Sequence, residues 1–591
     1  MNRITPVAAL CLSLLGGCAY LPHLYQQPVS AQTQQSDFDG LVSQYWQVSN
    51  QYDALIAGAD NPNRSAGHLP NLSPEALAAQ NTYWLQFRDK VNAIADADLS
   101  NQQQISKTML IYELDDKIDS YHFGAQMMPF TSEYGFWVSL AGLKDDMRFT
   151  ADADYNSYLT ALGDIPHYID QQIAWMKKGL AKGITQPKAV LGLVGDNIAS
   201  YMTNEQFFAP FEKLPAKDPR RAQGETLIVD EVLPAFQKLH NFMVHTYIPQ
   251  ARDSIGMSAM PNGRQWYKNR VKHYTTLDVT PDEVHQMGLD EMKHIHQQMN
   301  AIIKQLHFKG NLHQFMHFLR TDPQFYAKTP LELLKDASYY AKRADGILPR
   351  YFGKLPRKPY TVTPVPADIA PNYTSARYSG SYSDDRPGQF WVNTYDLKVR
   401  PIYELAPLTL HEAVPGHHLQ ISLTQEMTNL PAFRRNGYIS AFGEGWALYC
   451  EYLGEEAGFY QTPYEHFARL IFDAWRAARL VVDTGIHWDG WSRERAQRYM
   501  ADNTGLSLHN VQTETDRYIT WPGQALSYKM GELTILRLRH KAEKALGDKF
   551  DIRRFHDAVL ANGAVPLKVL EQQIDRFISE EKARTAMPAK G

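Results

Sequence analysis

Cysteine is nearly absent from this chain. Among 591 residues only Cys11, Cys18 and Cys450 occur. The first two belong to the N-terminal segment, so Cys450 stands alone and the mature chain is expected to form no intramolecular disulfide. Stability must come from packing, and a chain that is 44% hydrophobic can bury a sizeable core. An excess of one charge is also missing. There are 60 basic and 64 acidic residues, a net charge of −4, and no basic run, which excludes a nucleic-acid partner. No internal repeat recurs, which excludes a solenoid.

The N-terminus supplies a positive MNR and a short apolar run, ITPVAALCLSLL. That run is too short to cross a bilayer and reads as a secretory signal. LLGGC follows, ending at Cys18. Its Leu-x-Gly-Cys pattern resembles a bacterial lipobox, which implies a signal peptide over 1–17 and lipidation of Cys18. Ala19, rather than Asp, after that Cys fits outer-membrane sorting, so the expected location is the cell envelope, lipid-anchored and facing the periplasm. Residues 18–36 are polar and Gln-rich and read as a flexible tether.

From Asp37 onward apolar residues recur at three- and four-residue intervals, the period of an amphipathic helix. Two starts are well marked. Ser73-Pro74-Glu75 offers an N-cap, a first-turn proline and a first-turn acid. Thr280-Pro281-Asp282-Glu283 does the same. The texture changes only at about 345–400, rich in Pro, Gly, Tyr, Thr and Val. PYTVTPV and GQFWVNT there read as strands. Helical texture then resumes, interrupted by the Gly- and aromatic-rich RYITWPGQALSYKMGEL. The expected fold is mainly α, with a small β-sheet beside the segment that follows it.

That segment, LTLHEAVPGHHLQ at 408–420, places His411, Glu412, His417 and His418 between apolar flanks. Burying four ionisable groups is costly unless they are paired or bind a metal. The stretch begins like H-E-x-x-H, in which two His one turn apart bind zinc and the Glu is the general base. Pro415 stands where the second His belongs. On a straight helix His411 and His418 would lie about 10 Å apart, too far to share an ion. Pro415 removes one helical hydrogen bond and clashes with the preceding turn, and Gly416 accepts unusual dihedrals. A bulge there would bring a later His back towards His411: His417 as displaced ligand, with His418 the alternative. The competing outcome is that Pro-Gly ends one helix and begins another. ISAFGEGWALYCEYLGEEAGFY then reads as a helix entered from Gly443, with Glu444 at its start as third ligand and Glu451 two turns on, suited to bracing a ligand.

HEAVPGHHLQ followed by EGWALYCEYLGEE resembles a bacterial family of large, often lipoprotein-type proteins, catalogued as a domain of unknown function and grouped with gluzincin-type zinc metallopeptidases. The resemblance spans roughly 37–580 and includes RPGQFWVNTYD, RLVVDTGIHWDGW and YITWPGQALSYKMGE. It implies a helical, two-lobed domain over 37–585 of the neurolysin or carboxypeptidase Taq type, with a channel between the lobes and the active-site half at about 345–540. It further implies one zinc ion held by His411, His417 and Glu444, Glu412 as base, and Tyr528 or His487 as oxyanion donor. GQFWVNT would be the edge strand that pairs with a peptide substrate through Gln389, Phe390 and Asn393. Arg479, Arg476 and Lys529 would be available for a substrate carboxylate. The expected function is a zinc metallopeptidase acting on short peptides. The alternatives are an inactive peptide-binding or envelope-scaffold lipoprotein, and a zinc hydrolase of another amide or ester.

Overall fold

A computed structural model of the chain describes residues 31–52, 67–147, 149–367, 370, 373–381 and 386–586. The signal at 1–17, Cys18 and the tether as far as residue 30 lie outside the described residues. Residues 31–36, read as tether, instead open the first helix, α1 (Ala31–Tyr52). Gln and Ala propagate helix well, and Phe38, Val42 and Tyr45 are buried just downstream, so the docked turns carry the helix backwards past the expected boundary.

The marked starts behave as their chemistry requires. In α2 (Pro74–Ala93) the Ser73 hydroxyl accepts from the Ala76 amide at 3.2 Å. After α3 (Asn101–Phe123) and α4 (Asp152–Lys182), α5 (Pro281–Gln305) opens with a reciprocal capping box between Thr280 and Glu283. α6 (Pro330–Tyr351) leads into the sheet. Among the described residues no helix is long and apolar enough to cross a membrane.

The sheet has three strands, β1 (Tyr360–Pro364), β2 (Ala376–Ser379) and β3 (Gly388–Val392). β1 and β3 are the two expected strands. β2, ARYS, is too short to display an alternating pattern against its Gly- and Ser-rich surroundings. The spatial order is β1–β3–β2. β3 pairs parallel with β1, Val362 opposite Phe390, and antiparallel with β2, Tyr378 opposite Phe390. The expectation that GQFWVNT is an edge strand therefore fails. Both of its sides are taken, and the edges belong to β1 and β2.

Six helices then surround the site: α7 (Leu405–Glu412), α8 (His417–Glu426), α9 (Ser440–Glu456), α10 (Pro463–His487) and, after a shorter one, α11 (Leu508–Thr520) and α12 (Ser527–Leu546). The buried apolar side chains form two large clusters. α7 is wedged between them, giving Leu405 and Leu408 to one and Ala406 and Leu410 to the other. A helix buried on both sides is apolar nearly all round, which is why the LTL flanks show no polar face.

α9 and α12 touch backbone to backbone. A Cβ on Gly531 would stand 1.9 Å from the Ala441 carbonyl oxygen, and one on Gly445 would stand 2.4 Å from the Gly531 Cα. This contact sets the distance between the helix carrying Glu444 and the helix carrying Tyr528. Gly531→Ala is therefore expected to cost about 1–3 kcal/mol, read as a lowered Tm, because the obstructing atom is backbone and cannot rotate away.

Candidate metal centre

The chain does not bulge at Val414-Pro415-Gly416; it breaks. α7 ends at Glu412, α8 begins at His417, and the residues between run as a tight turn. Pro415 has no N–H to continue the helix. Gly416 is required by proximity: a Cβ there would lie 1.9 Å from the His411 carbonyl oxygen and 2.5 Å from that of Leu410. Trp446 of α9 pins the turn from behind, its indole N–H donating to the Pro415 carbonyl at 2.9 Å. The break brings the two imidazoles together, with ring centroids 4.8 Å apart and planes nearly perpendicular.

Glu444 completes the group. The ligand atoms of His411, His417 and Glu444 all lie within 4.8 Å of one another. The Glu444 carboxylate oxygen Oε2 is 3.7 Å from His411 Nε2 and 3.4 Å from His417 Nε2. A tetrahedral zinc with bonds of about 2.1 Å places its ligands about 3.4 Å apart, so the donor set fits zinc. Three protein ligands leave a fourth position, the pattern of a catalytic rather than a structural site. α9 begins at Ser440 rather than Gly443, so Glu444 lies one turn inside it and not at its tip.

The surroundings orient these ligands. His411 Nδ1 is 2.7 Å from Glu451 Oε1, which turns Nε2 towards the centre and matches the expected bracing role of Glu451. Tyr438, just before α9, donates to Glu444 Oε1 at 3.0 Å, leaving Oε2 for an ion. Tyr438 carries no motif, so nothing in the sequence singles it out. Glu412 is held by the backbone amide of Tyr378 on β2, at 2.7 Å from Oε2.

The buried acids and imidazoles of this pocket stabilise one another's charged forms. Burial opposes the charged form of His411, yet Glu444 and Glu451 outweigh it and push its pKa up to about 10. Burial also disfavours the Glu444 carboxylate, but His417 and His411 hold it well below the usual range. His411 and Glu444 are each stabilised as ions by their neighbours, and a divalent cation would supply the positive charge opposite the carboxylates in place of the imidazolium.

His418 is not the alternative ligand. Its Nδ1 meets the Tyr378 hydroxyl at 3.0 Å and its Nε2 meets the Lys358 carbonyl at 3.1 Å. Burial drives its pKa down to about 4, and it serves as a neutral strut between α8 and the sheet.

The family model described as "Bacterial protein of unknown function (DUF885)" matches residues 53–574. The chain belongs to the DUF885 family. No curated protein matches this DUF885 chain. Among solved structures it is similar to a candidate lipoprotein from Colwellia psychrerythraea, with TM-score 0.83, 28% identity, 93% of this chain and 99% of that one covered. It also shares its fold with a candidate lipoprotein of unknown function from Shewanella oneidensis, with TM-score 0.74, 18% identity, 92% of this chain and 99% of that one covered.

Several other expected site residues of this DUF885 chain are engaged elsewhere. Lys529 is buried among Asp473, Glu291 and Glu532, so it cannot serve a substrate carboxylate. His487 is fully buried; its Nδ1 accepts from the Met257 amide at 3.1 Å and its Nε2 donates to the Tyr518 carbonyl at 2.9 Å, so it has no proton left for an oxyanion. Asn393 spends its amide on the Ala370, Tyr373 and Thr374 carbonyls, Phe390 is core, and Gln389 accepts from Trp391. Arg479 pairs with Glu514 at 2.9 Å, and Arg476 stands 3.9 Å from Glu451. Tyr528 fares better. The Arg479 guanidinium lies over its ring at 4.2 Å, and Arg517 reaches its hydroxyl at 3.5 Å.

Two substitutions separate these roles. Glu451→Gln is expected to weaken zinc affinity about 10- to 100-fold, measured by competition with a chromogenic chelator. His418→Ala is expected to lower Tm while leaving that affinity within a few-fold.

Proposed function

We propose that this DUF885 protein is a zinc-dependent peptidase of the cell envelope, related to the gluzincins. The observation that carries the reading is the triad of His411, His417 and Glu444, with its spacing suited to zinc and with Glu412 following His411 directly in the chain. Bound there, zinc would polarise a scissile carbonyl and lower the pKa of an attacking water to about 7.

The chain's own residues supply the remaining steps. Glu412 accepts the proton of the attacking water and returns it to the leaving amine. Its second carboxylate oxygen is the free one, since Oε2 is anchored by the Tyr378 amide. β2, not β3, is the edge strand that leads to Glu412, and an extended peptide would add alongside it by backbone hydrogen bonds. Tyr528 is the hydroxyl best suited to an oxyanion, with Arg479 stacked on its ring and Arg517 at its oxygen favouring the charged transition state. A lipid anchor at Cys18, facing the periplasm from the outer membrane, is supported by the lipobox-like LLGGC and by the description of both similar solved structures as candidate lipoproteins.

Protein purified without chelator is expected to carry close to one zinc per chain by elemental analysis and to cleave short peptides. Glu412→Gln should retain zinc and Tm but lose about 10²- to 10⁴-fold in kcat; unchanged turnover would sink the mechanism. Cys18→Ser should move the protein from the membrane pellet to the soluble fraction after lysis, and retention in the pellet would contradict the anchor.

A further inference from the structure

Arg377 is the second residue of β2, immediately before Tyr378, whose amide holds Glu412. Side chains alternate along a strand. Tyr378 turns inward, its hydroxyl 3.0 Å from His418. Arg377 therefore leaves the opposite face. Its guanidinium crosses to a distant part of the chain and donates to the Tyr134 hydroxyl at 3.1 Å.

The charge state of Arg377 sets it apart from the other arginines near the site. Arg479 and Arg517 lie against Glu514, and Arg476 against Glu451. Among the described residues no carboxylate lies within ion-pair distance of Arg377; those of Glu412 and Glu133 act on it only from further away. It is held instead by neutral rings, the Tyr134 hydroxyl and the face of Tyr373 at 5.6 Å. Its position is thus fixed by neutral groups, and no carboxylate closes on its guanidinium. Tyr134 is 45% exposed and accepts the Arg377 proton, so its own O–H remains free to donate. A guanidinium fork and a phenol O–H converging on one point form a donor set for a carboxylate.

Tyr134 also lines a cavity of about 470 Å³, walled by Phe130, Trp266, Tyr274 and Trp521. Its walls are mostly apolar and aromatic, with Arg252 and Arg270 also on the lining, and such a volume suits an organic side chain. The order from the general base outwards is then Glu412, the β2 backbone, Arg377 with Tyr134, and the ring-lined cavity. A peptide lying along β2 past the candidate metal site would meet a fixed positive charge, then a largely aromatic chamber that also carries Arg252 and Arg270.

We propose that Arg377 and Tyr134 recognise the free C-terminal carboxylate of the substrate, with the last side chain in the adjoining cavity, so that the enzyme acts on peptide C-termini. This rests on the peptidase reading above. An internal stretch of a long peptide offers Arg377 no partner charge, whereas a terminal carboxylate supplies it.

The test separates recognition from turnover. Pentapeptides ending in Phe, each made as the free acid and as the C-terminal amide, are titrated calorimetrically into the zinc-loaded Glu412→Gln protein. The acid is expected to bind about 10- to 100-fold tighter than the amide, the worth of one charge-assisted pair. Adding Arg377→Gln should remove that preference by weakening the acid alone. Arg377→Lys should restore part of it, and Tyr134→Phe should reduce it with zinc content unchanged. Equal binding of acid and amide, or a preference that survives Arg377→Gln, overturns the proposal. Cleavage of the same peptides by the wild-type enzyme is scored separately. Amides cut as fast as acids would refute C-terminal recognition and leave a peptidase, whereas an enzyme that binds acids selectively but cuts nothing would refute the peptidase reading alone.

Discussion

The approach of Gly416 to the His411 carbonyl governs this centre. With a gap that would put a Cβ 1.9 Å from that oxygen, only glycine lets the chain double back sharply enough for His417 to face His411. Pro415 stops α7 by withholding an N–H, and Trp446 holds the Pro415 carbonyl at 2.9 Å. The turn is therefore fixed from three directions by a missing donor, a missing side chain and a buried indole. Each is needed. Without the proline the helix would run on and carry the two imidazoles about 9 Å apart; without the indole a buried carbonyl would lose its partner, at a cost of about 1–3 kcal/mol.

Once the turn is set, the remaining elements orient what it brings together. α9 delivers both the third ligand, Glu444, and the carboxylate that orients the first, Glu451. The Gly445–Gly531 contact then seats α12 against α9 and fixes where Tyr528 stands. The sheet contributes through β2, whose Tyr378 amide anchors Glu412 and whose Tyr378 hydroxyl engages His418. One tyrosine thus keeps Glu412 in place and draws His418 away from the His411–His417–Glu444 cluster. The result is a compact set of acids and imidazoles, with the ligand atoms of His411, His417 and Glu444 within 4.8 Å of one another.

The convergence of His411, His417 and Glu444 was legible because spacing and chemistry agreed: His411 and Glu412 start a known pattern, Pro415-Gly416 explains its interruption, and Glu444 lies on the next long helix. The mode of convergence was not. Proline and glycine are compatible with a bulge or a break, and the choice turned on Trp446, far along the chain. Long-range pairing defeated other assignments. Nothing in SYKMGE tells that Lys529 faces Asp473 and Glu291, and nothing in GIHWDGW tells that His487 spends both nitrogens on backbone. GQFWVNT is strand-like enough to be found, but its rank in the sheet depends on ARYS, four residues with no readable period. Tyr438 and Arg377 escaped notice for the same reason: each acts through a partner that the linear sequence does not adjoin.

Anomalous X-ray scattering at the zinc edge from crystals of the zinc-loaded protein tests the central claim most directly. A single strong peak is expected about 2.0–2.2 Å from His411 Nε2, His417 Nε2 and a Glu444 carboxylate oxygen, with His418 still turned towards Tyr378. A peak ligated by His418, or zinc bound only away from these three residues, would contradict the account.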